Sequence, residues 1–521
     1  MKIKQQALCA AICVALTGTT MAATFQVTTN AATGAGSFDA AIIAANQAIG
    51  TDTIDLSPIS GQTITLDNDL SLITDNVDIS GANTTLDANG NSAISAIGIS
   101  EISISDMTIT HGIGAFYNPQ PPKASNGRYG LGGGVYLIGF GPGQKREKGG
   151  QLNATLDNVT LTENYSYAGG GMFVVGYGLL DIKNSVISNN YALGLDKGPG
   201  FQQSGGGVRS KYMNINIDNS TISGNVAALG GGVLAFEGNH HISNTTISEN
   251  TGIVACGGVC LLTSYEGSIV NSTISGNFAG QAAAGYIGLL ESYGNFDIAG
   301  TTITGNIANE FGGLVFLPNP TGIITNRMSV ISQNTPDDVS TISNQNRMLL
   351  KLGQKSNTTN KFHINERLAH NFGPRIGTKP SIKSVSSVNK GSQLGSINFD
   401  YTLIGIITPG STNIQLGAWS QAHLGLDPLL GPLSNNGGDT LTHIPQLGSP
   451  LIGAVPSGAA GCGTDLTVDQ TGKTRDIGGA GCAPGANKGL AFYPVPALAP
   501  LGLGILTLML GVTGFRRRKA Q

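Results

Sequence analysis

The chain has 521 residues, of which 77 are glycine, only 11% are charged and one is tryptophan, and its formal net charge is −3. So much glycine and so little charge argue against a helical enzyme and favour β structure with many tight turns. Because the glycines follow no strict triplet pattern, the composition also excludes a collagen-like protein.

The first residues are typical of an export signal. Two lysines precede an apolar run over residues 7–16, and the small residues Ala22 and Ala23 provide a cleavage site. The pattern predicts a signal peptide over residues 1–23. A buried first strand is the alternative interpretation of the same apolar run.

Residues 24–60 are predicted to form an N-terminal cap. Ser37 is a residue type that caps helices, and it is followed by apolar residues at helical spacing: Phe38, Ala41, Ile42, Ala45 and Ile49. A short helix suits this position because a repeat fold must cover its apolar end. The segment resembles the CSLREA-type domain that opens many bacterial β-helix surface proteins, with "SFDAAI" in place of "SLREAI".

The phrase "NSTISGN" occurs at residues 219–225 and 271–277, and related phrases recur at intervals of about 25 to 35 residues. Each phrase ends in an asparagine: Asn164, Asn190, Asn225, Asn250, Asn277, Asn306 and Asn334. Three residues earlier stands an aliphatic residue: Leu161, Ile187, Ile222, Ile247, Ile274, Ile303 and Ile331. A hydroxyl residue stands two positions before each asparagine, and a glycine run follows most phrases. A period of this length predicts a solenoid.

Each column of the repeat has a physical interpretation. The phrases are β-branched and alternate with period two, so they predict a right-handed parallel β-helix over residues 61–340 rather than a helical repeat. The aliphatic residues are expected to point inward and stack, and the hydroxyl residues to point outward. A second asparagine column stands six residues before the anchor, at Asn158, Asn184, Asn219, Asn244 and Asn271, until Gly300 and Met328 interrupt it. Both asparagines of a phrase are expected to form bends with a left-handed backbone, and stacked asparagines can hydrogen-bond along the axis. A β-sandwich with coincidentally similar strands is the alternative.

The repeats resemble those of polymorphic outer-membrane proteins, whose paired signatures are F-x-x-N and G-G-A-I. In this chain Ile or Leu replaces the Phe, and the second signature reads "GGGV" at residues 205–208 and 230–233. The resemblance implies a β-helix of a surface protein.

A basic segment, residues 341–395, interrupts the repeat. Residues 343–392 contain nine Lys and Arg against one acid, Glu366, and are rich in Ser and Asn, so we expect a flexible insertion. A polyanion-binding loop and a solvated excursion are both consistent with this composition.

Residues 396–490 carry the longest specific resemblance. The stretch "DPLLGPLSNNGGDTLTHIPQLGSPLIGA" at 427–454 is similar to the region called choice-of-anchor Q, which follows β-helices in surface proteins with varied C-terminal anchors. The stretches "YTLIG" at 401–405 and "DQTGKTRDIGGAGC" at 469–482 fit the same region. Cys462 and Cys482 flank a loop, and we expect a disulfide between them.

The last segment, residues 491–521, is predicted to be a sorting tail. About 20 largely apolar residues, from Val495 to Phe515, are long enough to span a bilayer as a transmembrane helix. A basic cluster that would stay cytoplasmic follows: Arg516, Arg517, Arg518 and Lys519. The segment resembles the IPTL-CTERM and PEP-CTERM tails, with Val495 and Pro496 beginning the signature. The resemblance implies inner-membrane anchoring, then cleavage and delivery to the surface or matrix.

Removal of both ends would change the charge of the mature chain. It would remove six of the 28 Lys and Arg and none of the 31 Asp and Glu, leaving a net charge of about −9. So negative a chain argues against a nucleic-acid partner.

The acidic and basic residues of the repeats do not form a recognisable catalytic motif. Asp157 and Asp218 share one column, but Lys183 stands between them. The doublet Asp337-Asp338 is expected in a solvated turn, and His111-Gly112 resembles the Gly-His-Gly of polygalacturonases only superficially. We therefore expect no catalytic residues and no cofactor.

No metal site is expected either. The adjacent histidines His240 and His241 would face opposite sides of a strand, so they could not bind one metal together. Cys256 and Cys260 are too far apart in an extended strand for a disulfide and would meet only at a bend over Gly257-Gly258. A zinc site would need a second cysteine pair.

The sequence therefore favours an exported surface protein with a structural, adhesin-like role and no enzymatic activity. Its stacked Ser, Thr and Asn faces would bind a surface or matrix ligand, such as a polysaccharide or a cell-surface protein. It would be located at the outer membrane, the cell surface or outside the cell, with the C-terminal helix contacting the inner membrane before processing. The alternative is a polysaccharide lyase, a glycoside hydrolase or a carbohydrate-binding β-helix.

Overall fold

The computed structural model describes residues 22–114, 130–139, 150–193, 204–263, 266–281, 283–289, 294–317, 322–341, 396–409 and 411–489. These residues form an all-β solenoid of stacked coils, a parallel β-helix, in which every pairing between named strands is parallel. This confirms the all-β, parallel class predicted from the repeats. Residues 1–21 of the predicted signal peptide, the basic residues 343–392 and the predicted sorting tail lie outside the described residues.

The strands stack into four ladders, numbered by their order within one coil. Ladder 1 contains Ile94–Ile97, Val135–Ile138, the first parts of Met172–Lys183 and Val208–Asp218, Val233–Phe236, Val259–Thr263, Gly285–Leu289, Leu314–Leu317 and Val339–Thr341. Ladder 2 contains Thr24–Gln26, Asp52–Asp55, the first parts of Val77–Asp87, Glu101–Thr110 and Gln151–Thr162, the last parts of Met172–Lys183 and Val208–Asp218, His240–Ser243, Glu266–Val270, Asn295–Ala299, Ile323–Arg327, Ile397–Asp400 and Ile414–Leu416.

The other two ladders complete each coil. Ladder 3 contains Thr63–Thr65, the last parts of Val77–Asp87, Glu101–Thr110 and Gln151–Thr162, then Val186–Ser188, Thr221–Ser223, Thr246–Ser248, Thr273–Ser275, Thr302–Thr304, Val330–Ser332 and Leu403–Ile404. Ladder 4 is short and contains Tyr165–Ser166, Tyr191–Ala192, Val226–Leu229, Thr251–Ala255, Phe278–Ala279 and Ile307–Ala308.

The aliphatic column lies inside the solenoid on ladder 3. Ile187, Ile222, Ile247 and Ile274 pair in register from coil to coil, and their side chains are fully buried. Leu161, Ile303 and Ile331 continue the same column with no exposed surface. Burying one such side chain contributes about 1.5–3 kcal/mol, so this column is a major part of the core.

The seven phrase-ending asparagines form a continuous buried ladder of side-chain amides. In each coil the Oδ1 atom accepts hydrogen bonds from the N–H and Nδ2 groups of the preceding asparagine, as Asn277 does from Asn250 at 3.0 Å. The Nδ2 group of Asn277 donates to the next Oδ1, that of Asn306, at 2.9 Å and to the carbonyl oxygen of Ile247 at 3.0 Å. The same pattern runs from Asn164 to Asn334.

Of the two bend positions expected in each phrase, the structure confirms the first asparagine and not the last. The left-handed backbone falls on the residue before each ladder asparagine, for example Asn189 (φ 54°) and Glu249 (φ 57°), not on the ladder asparagine itself. The asparagine six residues before the anchor is left-handed as expected, for example Asn219 (φ 48°). The expectation was wrong only for the anchor asparagines, because their amides are needed in the buried ladder.

A second buried ladder was not predicted. The residue five positions before the anchor is Ser185, Ser220, Thr245, Ser272, Thr301 or Ser329, and all six are buried. In five of these positions the hydroxyl accepts a hydrogen bond from the backbone of the preceding coil, as Thr245 does from Ser220 at 3.3 Å, and Thr301 donates to carbonyl oxygens. The expectation that the hydroxyls of "NSTISGN" all point outward therefore fails for its first serine.

His240 lies inside the solenoid on ladder 2 and is 1% exposed. Neither ring nitrogen has a hydrogen-bond partner within the part of the chain that the structure describes. Burial, with a smaller effect of the neighbouring His241, lowers the pKa of His240 to about 3. His241 points outward, with Nδ1 2.9 Å from the Ser268 Oγ atom.

We expect His240 to make the fold sensitive to acid. A histidine in the unfolded chain titrates near pH 6.5, so between about pH 3 and 6.5 the unfolded chain binds more protons than the folded chain. The free energy of unfolding therefore falls by up to about 1.4 kcal/mol for each pH unit of acidification. The H240L variant should lose this dependence and gain about 1–2 kcal/mol at neutral pH, because an unpaired buried group is removed. Denaturant unfolding at several pH values measures both effects, with H241L as the outward control. Equal pH dependence in H240L and wild type would contradict the assignment.

A helix over Phe38–Ala45 covers the first coil. Ser37 caps it by accepting a hydrogen bond from the Ala40 backbone N–H at 3.2 Å, and the helix packs on Thr24–Gln26 and Asp52–Asp55. Phe38, Ala41, Ile42 and Ala45 are buried. Ile49, expected on the same face, lies beyond the helix end and is 70% exposed.

The solenoid continues past the basic segment. Ile397–Asp400, Leu403–Ile404 and Ile414–Leu416 add further strands to ladders 2 and 3. The remaining residues, 417–489, are called here the C-terminal lobe. The lobe contains a short helix, Ala418–Ala422, a 3₁₀ turn, Ala459–Gly461, and the disulfide Cys462–Cys482, whose Cα atoms are 5.8 Å apart. A second 3₁₀ turn, Ser57–Ile59, lies near the first coil.

Candidate functional site

The C-terminal lobe covers the outer face of ladder 3 in the later coils. Thr246, Thr273 and Thr302 point outward from the sheet, yet each is at most 1% exposed. Thr246 donates a hydrogen bond to the carbonyl oxygen of Leu441 at 2.6 Å, and Thr302 accepts one from the backbone of Ala486 at 2.8 Å. The lobe is thus attached along the side of the solenoid.

Gln470 joins two coils to the lobe. Its Oε1 atom accepts a hydrogen bond from the Thr273 hydroxyl at 2.6 Å, and its Nε2 group donates to Thr246 and Thr440 at 2.9 Å each. Gln470 is 4% exposed, so its amide is fully engaged in a buried network. The Thr246 and Thr273 hydroxyls therefore each have a specific partner in the lobe.

His443 makes a similar contact one column away. Its Nδ1 atom lies 2.7 Å from the carbonyl oxygen of Gly431, so Nδ1 carries the proton and Nε2 accepts from the Ser275 hydroxyl at 2.7 Å. Burial lowers the pKa of His443, against the effect of the Gly431 contact. The neutral imidazole that this contact requires is therefore favoured.

Arg475 fixes the lobe to the corner between ladders 2 and 3. Its guanidinium is 2% exposed and donates hydrogen bonds to the Asn271 Oδ1 atom at 2.7 Å and to the carbonyl oxygens of Gly300 and Gly485 at 3.2 and 2.8 Å. It also donates to two carbonyl oxygens within the lobe. Burial lowers the pKa of Arg475 to about 10, so the group stays charged at neutral pH.

The C-terminal lobe covers the later coils, so the expectation that the hydroxyl rows are exposed along the whole solenoid was wrong. The hydroxyl residue two positions before the anchor is buried in the later coils: Ser248, Ser275, Thr304 and Ser332. The same position is half-buried in the earlier coils: Thr162, Ser188 and Ser223. The outer face of ladder 3 is thus divided into a covered half and an open half.

The open half is called here the open hydroxyl face. It consists of the outward side chains of ladder 3 before the lobe: Thr63, Thr65, Thr85, Asp87, Thr108, Thr110, Thr160, Thr162, Val186, Ser188, Thr221 and Ser223. All except Thr110 are half-buried or exposed. Neighbouring parallel strands lie about 4.8 Å apart, so six coils give a strip about 24 Å long.

A carboxylate–imidazole–carboxylate cluster lies at one edge of this face. The Nδ1 atom of His111 is 3.0 Å from Asp87 Oδ1, and its Nε2 atom is 3.0 Å from Glu163 Oε2. The three residues belong to three successive coils. The hydrogen bond to Asp87 raises the pKa of His111, burial opposes it, and Glu163 raises it further. With both nitrogens engaged, the imidazolium acts as a cross-link between the coils.

The raised pKa of His111 can be measured directly. We expect its imidazole to titrate above the ordinary value of about 6.5 in an NMR pH titration. The D87N variant should lower the value more than E163Q, because the contact with Asp87 has the larger effect. Titration of wild-type His111 at or below the ordinary value would contradict the cluster.

The other acids considered from the sequence do not converge. Lys183 Nζ lies 3.9 Å from Asp157 and 3.5 Å from Asp181, so it separates the acids as the sequence indicated. The Asp218 Oδ1 atom accepts a hydrogen bond from the Asn244 Nδ2 group at 2.8 Å in the next coil. These groups make ion pairs and hydrogen bonds along the edge of the solenoid and do not surround a common reacting centre.

Asp337 and Asp338 are not in a solvated turn as expected. They are 6% and 1% exposed, and the Asp338 Oδ1 atom accepts the N–H and Nδ2 hydrogen bonds of Asn334. Asp338 therefore takes the place of the next asparagine and ends the amide ladder. Burial raises the pKa of both carboxyl groups, against their hydrogen bonds.

Cys256 and Cys260 form a disulfide with Cα atoms 5.5 Å apart. The bend that brings them together begins at Cys256 itself (φ 58°) and continues through Gly257-Gly258. Both cysteines lie in an apolar cluster on the outside of ladder 1 with Leu234 and Leu262. Within the described ranges, no group of three His, Cys, Asp or Glu side chains is placed to hold a metal ion.

The two ends of the chain were the basis of the export prediction. The structure describes only Ala22 and Ala23 of the predicted signal peptide. Val495, Pro496, Arg516, Arg517 and Arg518 of the predicted tail lie outside the described residues, as does the predicted transmembrane helix. In the part of the chain that is described, no helix is long and apolar enough to cross a membrane.

The fold and the site define the class as a parallel β-helix whose later coils are covered by a C-terminal lobe. No protein-family model matches the chain, and no curated protein sequence is similar to it.

Proposed function

We propose that this chain is an exported, cell-surface structural protein in which the β-helix presents the open hydroxyl face to a ligand of the surface or matrix. The right-handed solenoid, the CSLREA-like cap, the choice-of-anchor Q-like region and the sorting tail belong to the same proposal. In this role the protein is adhesin-like and has no catalytic residues.

The observation that carries the proposal is the division of the outer face of ladder 3. The lobe uses hydroxyls of the later coils for its own attachment, through Gln470, His443 and the backbone, while the same columns are open in six earlier coils. A repeated face that is partly used for internal contacts and partly open supports a binding role for the open half. The two disulfides suit an oxidising compartment outside the cytoplasm.

Fractionation of cells and mass spectrometry of the mature chain test this proposal. We expect the protein in the surface or extracellular fraction, with an N-terminus near Thr24 and a C-terminus before the basic cluster at Arg516. Recovery of the intact 521-residue chain in the cytoplasm would contradict the proposal.

A polysaccharide lyase or hydrolase is the second candidate, and the Asp87–His111–Glu163 cluster is the observation that favours it. Two carboxylates and a histidine at the edge of an open face have the residue types of acid–base catalysis. Incubation of the purified protein with acidic polysaccharides tests this candidate. Release of unsaturated or shortened products that is lost in H111A would establish the enzyme and overturn the structural proposal.

A further inference from the structure

We propose that the open hydroxyl face binds a single extended chain of a neutral or amino-sugar polysaccharide that runs along the solenoid axis. This inference rests on the proposed function and names the ligand class of its open face. Four features of the structure support it: the contacts of the covered half, the spacing of the coils, the composition of the face and the charge at its edges.

The covered half shows how this face binds. Thr246 donates to a carbonyl oxygen and accepts from an amide, Thr273 donates to an amide oxygen, and Thr302 accepts from a backbone N–H. The same positions on the open half are in the same register and carry hydroxyls except at Asp87 and Val186. A ligand for the open half must therefore both donate and accept hydrogen bonds along the row, as sugar hydroxyls do.

The geometry suits a linear polymer. Each coil offers two outward side chains of one short strand, and successive coils repeat this pair about every 4.8 Å. That spacing is close to the length of one pyranose residue in an extended β-linked chain. A chain lying along the axis would thus meet one pair of hydroxyl positions per sugar across six coils.

The composition disfavours a protein partner. Stable protein interfaces have an apolar or aromatic centre. The open hydroxyl face has one large apolar side chain, Val186, which is 38% exposed, among Thr and Ser. Small hydroxyl residues in a flat row instead match a ligand that is covered by hydroxyl groups.

The charge at the edges selects among polysaccharides. Asp87 and Glu163 lie at one edge of the face. Asp106 and Asp157 lie at the other edge, where they accept hydrogen bonds from Asn158 and Asn184 at 2.7 and 2.8 Å. Among the residues that the structure describes, the cations near these edges are His111 and Lys183, which are paired with these acids or with Asp181. A polymer of uronic acids would be repelled, whereas neutral or amino sugars would not.

Calorimetry with the purified full chain tests the inference. The ligands are β-linked hexamers of glucose and of glucosamine, and a hexamer of galacturonic acid. We expect the glucose and glucosamine hexamers to bind and the galacturonate hexamer to bind at least about tenfold more weakly. The double variant T108R/T160R should weaken binding of the first two at least about tenfold, and N216R, on ladder 2, should not. T108V/T160V, which keeps the packing, should also weaken binding.

Any of four results would overturn the inference. These are unchanged binding by T108R/T160R, tighter binding of galacturonate than of the other sugars, no binding of any hexamer by the wild-type chain, and capture of a protein on the face in place of sugars. The proposed surface location is tested separately by fractionation, so either can fail without the other.

Discussion

Replacing Asn277 with alanine is expected to lower the free energy of unfolding by about 3–5 kcal/mol. The Asn277 side chain accepts two hydrogen bonds from Asn250 and donates to Ile247 and Asn306, all in the buried interior. Alanine would leave the buried backbone N–H of Asn250 without an acceptor and would interrupt the ladder in the middle of the solenoid. Denaturant unfolding followed by circular dichroism measures the change.

The control for this variant is N216A. Asn216 is an outward, half-buried residue of ladder 2, so its replacement should change the free energy of unfolding by no more than about 0.5 kcal/mol. Hydrogen exchange gives a local readout, because the amide of Asn250 should lose protection in N277A. Unfolding of N277A at the same denaturant concentration as wild type would show that the ladder is not a main source of stability.

The R475M variant is expected to release the C-terminal lobe from the solenoid. The change removes five hydrogen bonds from a buried cation and leaves Asn271, Gly300 and Gly485 with unpaired acceptors. The loss should be about 3–5 kcal/mol, because buried groups lose a charged partner and water cannot replace it fully. Limited proteolysis should then cut within residues 417–489.

Arg327 provides a matched control because it also joins the solenoid to the lobe. Its Nη1 atom lies 2.6 Å from Asp465, but the arginine side chain is 22% exposed and the acid 58% exposed. Arg327 also pairs with Asp297 at 3.0 Å and donates to the Ala460 carbonyl oxygen at 3.2 Å. Because these groups are partly exposed, the R327M variant should cost about 1–2 kcal/mol, less than R475M. If R475M is no more sensitive to protease than R327M, the buried guanidinium is not the main attachment of the lobe.

The repeat columns could be predicted because each has a local cause. The period-two alternation around Ile222 places that residue inside wherever a strand forms, and the fixed interval between Asn225 and Asn250 stacks them. The left-handed position six residues before the anchor was predicted correctly, whereas the one next to the anchor was assigned to the wrong residue. The anchor asparagines and the Asn or Gly residues that often precede them all tolerate positive φ. Before Asn225, for example, the left-handed residue is Gly224 (φ 65°). Sequence pattern alone does not separate a bend from a ladder position.

The covered half of ladder 3 could not be predicted in the same way. Its contacts join residues separated by about 200 positions in the chain, such as Thr273 with Gln470 and Asn271 with Arg475. The sequence contained one signal of this cover. The column six residues before the anchor is asparagine from Asn158 to Asn271 and then changes to glycine at Gly300. The structure explains it, since a Cβ atom at Gly300 would lie 2.7 Å from the Arg475 guanidinium.

Cysteine labelling at matched positions tests the central claim, that the lobe covers the later coils and leaves the earlier ones open. Thr160 and Thr246 occupy the same column of ladder 3, but Thr160 is half-buried and Thr246 is fully buried under Leu441 and Gln470. We predict rapid modification of T160C by a maleimide and slow modification of T246C, with fast modification of T246C when R475M is added. Equal rates for T160C and T246C in the otherwise wild-type chain would contradict the account.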